Sequence, residues 1–312
     1  MNETIATTIL LATRAQAITS ADVIQSLWSG YGEIVRLELE GGAYPSVILK
    51  HIKLPEAGNH PRGWNTDLSH QRKIHSYQVE AHWYQSYAQY CDIHCPVPGC
   101  LTVHTAETET LLLLTDLDVA GFNLRKERVE LEDIHACLDW LASFHAIFLN
   151  SSADGLWECG TYWHLDTRPD ELAALEDKAL QRAAPLIDQR LRQCHYQTLV
   201  HGDAKLANFC FTAAAPTPKV AAVDFQYVGR GCGMKDVAYF IGSCLREEDC
   251  AAMEGELLDY YFSALRRQVT EIQPGVNATH LEEEWRELYD VAWADFYRFL
   301  LGWSPGHWKI NS

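Results

Sequence analysis

The sequence predicts an α+β chain of two lobes, an antiparallel β-rich N-terminal part followed by a mainly helical C-terminal part. Three observations carry this. Apolar runs bounded by Gly and Pro fill most of the first 116 residues; apolar spacing of three and four dominates after residue 120; and 312 residues exceed what one hydrophobic core usually serves. The expected division is residues 1–116 as a β-rich nucleotide-binding lobe and 117–312 as a helical catalytic and substrate lobe.

The elements follow in order. Val23–Trp28, Ile34–Glu40 and Ser46–Ile52 read as three strands of a meander, punctuated by Ser29-Gly30-Tyr31-Gly32 and by Gly41-Gly42-Ala43-Tyr44-Pro45. Pro55–Asp67 is polar and carries Pro, Gly and Asn, the composition of a loop. From Ser69 to Cys91 the period turns helical, with Tyr77, Ala81, Tyr84 and Ala88 on one face. Strands resume at Leu101–His104 and Thr110–Leu117, where four consecutive leucines suit a strand buried on both faces. Helices are then expected over Glu130–Asn150, Asp170–Cys194, Lys235–Cys244, Glu248–Glu271 and Leu281–Leu301. Short strands interrupt them at Thr198–Val200, Phe209–Phe211 and Val220–Val223.

Composition narrows the function. Charged residues are 21% and no segment is low in complexity, so the chain should fold throughout. A net charge of −17 argues against nucleic acid, which demands clustered Lys and Arg, and favours cationic ligands instead. No run approaches the ~20 apolar residues of a membrane span, and Met1–Leu11 lacks the basic and apolar regions of a secretory signal. Ten cysteines without such a signal read as reduced thiols, which places the chain in the cytoplasm.

Phosphoryl transfer asks little covalent work of a protein. It needs a cation on the phosphates, oxygen ligands for Mg²⁺, and a carboxylate facing the acceptor hydroxyl. This sequence offers each in order. Asp203 follows the strand at Leu199-Val200 and opens a loop, His201 to Asn208, of a length that turns a base toward an acceptor while its far end presents an amide oxygen to a metal. Strand Val220–Val223 delivers Asp224, so Asn208 and Asp224 are the expected Mg²⁺ ligands. Lys205 is placed to offset charge developing on the transferring group. Lys50, inside a strand beside Leu49 and Ile52, needs a partner, and Glu80 on the next helix can supply it.

These residues resemble the aminoglycoside phosphotransferase and choline kinase superfamily, most closely its ecdysteroid kinase-like branch. The resemblance is carried by Leu199-Val200-His201-Gly202-Asp203 with Asn208, Val223-Asp224-Phe225-Gln226, Tyr77-Gln78-Val79-Glu80, the Leu111–Leu117 strand before Gly121-Phe122, Leu141–Ala146 and Lys235–Phe240. It implies a bilobal protein-kinase-like fold, ATP and Mg²⁺ between the lobes, an adenine contact from the backbone at Asp116 and Leu117, and Asp236 bracing the catalytic loop. It also implies a phosphate-covering turn at Ser29, Gly30 and Gly32, and an alcohol acceptor. Lys205 departs from the family and is what protein kinases carry, so a protein kinase, or an ATP-binding pseudokinase, is the alternative. Only nine residues separate Gln226 from Asp236, too few for a long activation segment.

Other features have plainer readings. Cys91, His94, Cys95 and Cys100 lack paired Cys-x-x-Cys spacing and read as thiols around a proline turn rather than a zinc site. His145 and His201 read as structural hydrogen-bonders. The stripe Trp285, Leu288, Tyr289, Ala292, Trp293, Phe296, Tyr297 and Leu300 is a core face first. Seven of the ten tryptophans follow residue 117, and with the acidic balance they suggest a small acceptor, cationic or amine-bearing. The acceptor pocket is expected from the helices after Asp236 and from the neighbourhood of Tyr162 and Trp163.

Overall fold

A computed structural model describes residues 3–27, 30–53, 67–106, 109–213 and 217–306. Strands β1 (Ala17–Ser26), β2 (Gly32–Glu40) and β3 (Ser46–Lys53) form the meander. β4 (Cys100–Thr105) and β5 (Glu109–Thr115) complete an antiparallel sheet of order β1-β2-β3-β5-β4. The loop expected over Pro55–Asp67 falls almost wholly outside the described residues, as does Ser29.

The alternation of the central strands explains the layers on this sheet. Val47 and Leu49 of β3 and Leu111 and Leu113 of β5 share one face with Val35 and Leu37, and they are covered by Ile5 and Ile9 of α1 (Glu3–Thr13), a helix the sequence reading missed. Ile48, Lys50, Leu112 and Leu114 point the other way, toward α2 (Asp67–Ser86) and the rest of the molecule. The four leucines 111–114 are all buried, as a two-sided strand requires. Each such side chain contributes roughly 1.5–3 kcal/mol of transfer free energy.

The C-terminal part holds α3 (Leu131–Ile147), α4 (Pro169–Ala174), α5 (Lys178–Arg192), α6 (Met234–Cys244), α7 (Glu247–Ile272) and α8 (Ala278–Trp303). The helix expected over Asp170–Cys194 is therefore two: α4 ends at Ala174, and α5 restarts where Asp177 caps the Ala179 and Leu180 N–H groups. Among the helices run two small ladders. β7 (Phe209–Phe211) pairs with β8 (Val220–Ala222), and β6 (Thr198–Val200) pairs with β9 (Gly229–Gly231). Two glycines in three residues hid β9 from pattern reading.

The two parts meet through aromatic packing. Trp83 of α2 lies flat on Phe225, centroids 3.5 Å apart and 4° from parallel, and Trp140, Phe144 and His201 surround the same ring. The segment carrying Asp224 is thereby clamped between the helix carrying Glu80 and the helical core. No described helix is long and apolar enough to cross a membrane.

Candidate active-site cleft

A cleft of about 1200 Å³ runs between the sheet and the helices. Its inner wall collects the sequence-predicted residues. Lys50 Nζ donates to Glu80 Oε2 at 2.7 Å and to Asp224 Oδ1 at 3.4 Å, although Lys50 and Asp224 stand 174 residues apart. Burial alone would lower the Lys50 pKa; Glu80 and Asp224 more than offset it and hold the ammonium above the ordinary lysine value.

The loop after β6 is fixed from behind. Asp236, at the start of α6 and fully buried, accepts from the backbone N–H groups of His201 (2.5 Å) and Gly202 (2.9 Å) and contacts His145 Nε2 at 3.2 Å. His201 Nε2 lies 3.0 Å from the Val223 carbonyl, tying the loop to the Asp224 strand. Both histidines thus do structural work. Gly202 has φ +79°, and a Cβ there would sit 2.1 Å from the Tyr227 carbonyl oxygen, so neither the backbone angle nor the space tolerates another residue.

Asp203 is saturated with donors. Lys205 Nζ and Asn208 Nδ2 reach its Oδ2 at 2.8 and 3.1 Å, and the Tyr239 hydroxyl donates to Oδ1 at 3.2 Å. Burial pushes its carboxyl above the ordinary value, Lys205 pulls it down, and the nearby Asp224 charge adds to the rise that prevails. Asn208 also gives Nδ2 to the Asp203 carbonyl at 2.8 Å, so its amide nitrogen is spent within the loop and its oxygen is the atom left to accept. Asp224 occupies a left-handed backbone conformation, φ +71°, unusual for a residue with a Cβ. Against burial, Lys50, Lys73 and Lys205 hold its carboxylate at a pKa of about 2. An always-ionised carboxylate beside an amide oxygen fits a hard divalent cation such as Mg²⁺.

Lys73 and Tyr239 escaped sequence reading. Lys73 stands two turns before Glu80 on α2; it donates to Gln226 Oε1 at 2.7 Å, lies 4.5 Å from the Tyr77 ring centroid, and burial lowers its pKa to about 8. Gln226 in turn donates to Asp224 Oδ1 at 2.6 Å. The i, i+7 relation to Glu80 was the available signal. Tyr239 lay inside a quoted motif, but only the tertiary fold brings its hydroxyl to Asp203.

At the hinge, the Asp116 side chain accepts from Arg36 Nε (2.7 Å) and Ser46 Oγ (2.6 Å), so the carboxylate braces β2 and β3. Against burial, these bonds hold it below the ordinary carboxylate pKa. The backbone carbonyls of Asp116 and Leu117 each accept one internal bond, from Ala120 and Phe122, and each carbonyl keeps a second lone pair. Ile34, Ile48, Leu114, Leu117 and Val223 supply the apolar walls nearby. The turn after β1 is a hairpin: Leu27 N–H bonds the Gly32 carbonyl at 2.8 Å, and a Cβ on Gly32 would meet the His51 carbonyl oxygen at 1.9 Å. Gly32 is thus required by its approach to β3, while Leu27 and Tyr31 line the cleft. Ser29 lies outside the described residues.

Beyond Asp203 the cleft continues over Tyr162, Tyr239, Phe296, Phe299 and Trp303, with Arg72 and Arg168 at its margin. The core stripe of α8 is buried through Phe296 and Leu300, and its last turns form this wall. A separate buried cluster lies away from the cleft: His164 Nε2 stands 3.3 Å from Asp188 Oδ1, and the ligand atoms of Cys159, His164 and Asp188 all fall within 4.8 Å of one another. Lys235 Nζ, 3.8 Å from Cys159 Sγ and 3.5 Å from Asp295 Oδ2, already supplies a cation there. The Cys91–Cys100 stretch forms no such group, and all ten cysteines are free thiols.

Comparison with known proteins agrees with this architecture. The model of the Ecdysteroid kinase-like family matches residues 148–273, which span the catalytic loop, Asp224 and Asp236 but not the strand and helix bearing Lys50 and Glu80. No curated protein matches the chain in sequence. Among solved structures, a microcompartment-associated aminopropanol kinase aligns at 15% identity over 96% of this chain and 97% of its own, TM-score 0.50. An aminoglycoside-3'-phosphotransferase of type VIII aligns at 17% over 93% and 98%, TM-score 0.50. The amicoumacin kinase hAmiN, in complex with AMP-PNP, Ca²⁺ and Ami, aligns at 12% over 96% and 86%, TM-score 0.58. The chain has the kinase-like fold of these proteins, and over residues 148–273 it resembles the ecdysteroid kinase-like family.

Proposed function

We propose that the protein is an ATP-dependent small-molecule kinase that moves the γ-phosphoryl group onto an alcohol. The observation that carries this reading is the convergence of Lys50–Glu80, Asp203, Asn208 and Asp224 on one wall of the cleft from four separate elements. In this reading residues 1–116 cover the nucleotide and 117–312 supply the catalytic loop and acceptor pocket.

The adenine lies between the apolar walls at Ile34, Ile48 and Val223, against the Asp116–Leu117 backbone, and the turn carrying Gly30 and Gly32 is assigned to the phosphates. Lys50, held in place by Glu80, takes the α- and β-phosphates. Asn208 and Asp224 would hold Mg²⁺, which supplies charge neutralisation between the β- and γ-phosphates when bound. Lys205 and Lys73 stand where negative charge spreads during transfer, and cations fixed there favour the transition state. Asp203 accepts the acceptor proton. Its raised pKa brings it nearer the range of a working base, and the Tyr239 hydroxyl holds Oδ1 in place as the alcohol approaches.

A peptide acceptor is less well supported. The segment after Gln226 runs directly into β9 and α6, with Gly229–Gly231 paired to β6, so no activation segment is there to dock a peptide. The reading is tested by acceptor-dependent ADP release across alcohols, with calorimetry of ATP binding with and without Mg²⁺. Metal-dependent nucleotide binding with ADP release is expected. Tight ATP binding without turnover on any alcohol would favour a binding module, and phosphorylation of peptides alone would favour a protein kinase.

A further inference from the structure

The chain's net charge of −17 points to a cationic acceptor, yet the groups facing the far end of the cleft carry the opposite sign. Besides Asp203 the acidic side chains lining the cleft are Glu80, Asp116, Asp118, Glu127 and Asp224; Glu80 and Asp224 share Lys50, Asp116 and Asp118 pair with Arg36 and Arg125, and Glu127 is exposed. Asp203 is matched by Lys205 at 2.8 Å. Past Asp203 the charged side chains lining the cleft are two guanidinium groups, Arg72 and Arg168, of which Arg168 pairs with Glu171 behind it.

Arg72 sits on α2 and uses two of its five N–H donors on neutral oxygens, Nη1 on the Thr167 carbonyl at 2.7 Å and Nη2 on Ser69 Oγ at 3.2 Å. It has no carboxylate within salt-bridge distance among the described residues. Its bond to Thr167 sets it beside Arg168, the next residue. Arg168 donates Nε to the Tyr162 carbonyl at 2.6 Å and pairs Nη1 with Glu171 at 3.0 Å. Its guanidinium lies 5.3 Å from the Phe299 ring centroid and 6.0 Å from that of Tyr162. Partial burial, and then Arg168 itself, depress the Arg72 pKa, which marks two like charges crowded together in a partly dry place. Adjacent cations without enough anions between them are stable when a ligand supplies the missing charge.

The surface between this pair and Asp203 is aromatic. Tyr162, Tyr239, Phe299 and the partly exposed Trp303 present rings to the cavity. Among the described residues, no carboxylate other than Asp203 lines that wall.

We propose that this end of the cleft binds an amphipathic anion: an alcohol on a flat apolar skeleton whose carboxylate is recognised by Arg72 and Arg168 while its hydroxyl meets Asp203. The assignment rests on the kinase reading for the direction of the hydroxyl, and on the local geometry alone for the anion. Rings stack the skeleton, and the guanidinium forks give bidentate carboxylate recognition that fixes which hydroxyl reaches the base.

A matched series separates the two parts: 6-(hydroxymethyl)-2-naphthoate, the corresponding carboxamide, and the corresponding aminomethyl compound. Binding to the full chain is followed by quenching of tryptophan fluorescence, and turnover by ADP release. The carboxylate should bind at least ~10-fold more tightly than the amide, and the amide more tightly than the amine, since charge-assisted bonds of this kind carry about that factor. Arg72→Gln should erase the carboxylate-over-amide preference without weakening the amide, and Arg72→Lys should keep part of it. Arg168→Gln should act in the same direction, with its thermal midpoint checked because Arg168 is buried. A preference for the amine, a preference that survives both glutamine variants, or no saturable binding of the carboxylate would overturn the anion site. Carboxylate selectivity without ADP release from any compound would leave the site standing and sink the kinase reading; ADP release from the amine alone would do the reverse.

Discussion

The two ends of the cleft are built on different principles. The phosphate end is polar, buried and cross-braced in two groups, Lys50 with Glu80 and Asp224, and Asp203 with Asn208 and Lys205, which the backbone bond from Val223 N–H to the Asn208 carbonyl ties together. The acceptor end is a collection of rings, with two arginines, drawn from α6, α8, α2 and the stretch before α4. At the first end a change of one atom breaks a network; at the second, a lost ring removes surface without stranding a charge. The difference teaches where chemistry and where choice reside, and substitutions should divide accordingly.

The largest effect is expected from Asp203→Asn. It keeps the shape and the Tyr239 contact while removing the base, so kcat should fall roughly 10²–10⁴-fold with ATP affinity nearly unchanged, measured by ADP release beside calorimetry. Loss of nucleotide binding in proportion would show that Asp203 acts by holding the loop. Lys50→Ala comes next. It leaves Glu80, 2% exposed, without its cation, and breaking a buried pair costs about 3–5 kcal/mol, readable as a lower urea midpoint. The double variant Lys50→Ala with Glu80→Ala should recover part of that loss.

Lys73 sharpens the comparison through pH. Its folded pKa of about 8 is below its ordinary value of 10.5, so the unfolded chain holds this proton more tightly. Its contribution to stability therefore rises as pH climbs from about 8 toward 10.5, while its charge in the folded protein, and with it nucleotide affinity, is lost as pH rises through about 8. ATP binding should weaken up to ~10-fold there, and Lys73→Met should bind more weakly at pH 7 and show a flatter profile. The smallest effect is Trp303→Ala. At 39% exposure it costs little stability, and acceptor KM should rise by about one stacking interaction, ~3–10-fold, with KM for ATP unmoved. A matching rise in both constants would erase the distinction between the ends.

The same distinction decides what could be read from residues alone. The phosphate end was legible because its parts are short motifs whose spacing is chemical: a base and an amide five residues apart, an Asp at a strand end, a lysine that needs a partner. The sheet was legible through its period of two, except for α1 and for β9, whose glycines carry no pattern. The stretch Asp170–Cys194 carried one helical period across a cap at Asp177 that was overlooked. The far end was legible only as a neighbourhood, the helices after Asp236 and the surroundings of Tyr162; Arg72 and Arg168 share no motif with it and join it only through tertiary packing. Net charge does not decide the matter there: most of the 42 acidic side chains line other surfaces, and the sign of a whole protein says little about one wall of one cavity.

The strand Gly229–Gly231 carries a last consequence. It stitches the chain just past Asp224 to β6, just before Asp203, while Asp236 grips the loop from the following helix. Switchable enzymes keep slack between such points, to be taken up when a signal arrives. Here the stretch from Gln226 to the Asp236 anchor is held at both ends, so Asp203 and Asp224 keep their relative placement through the backbone rather than through a bound ligand.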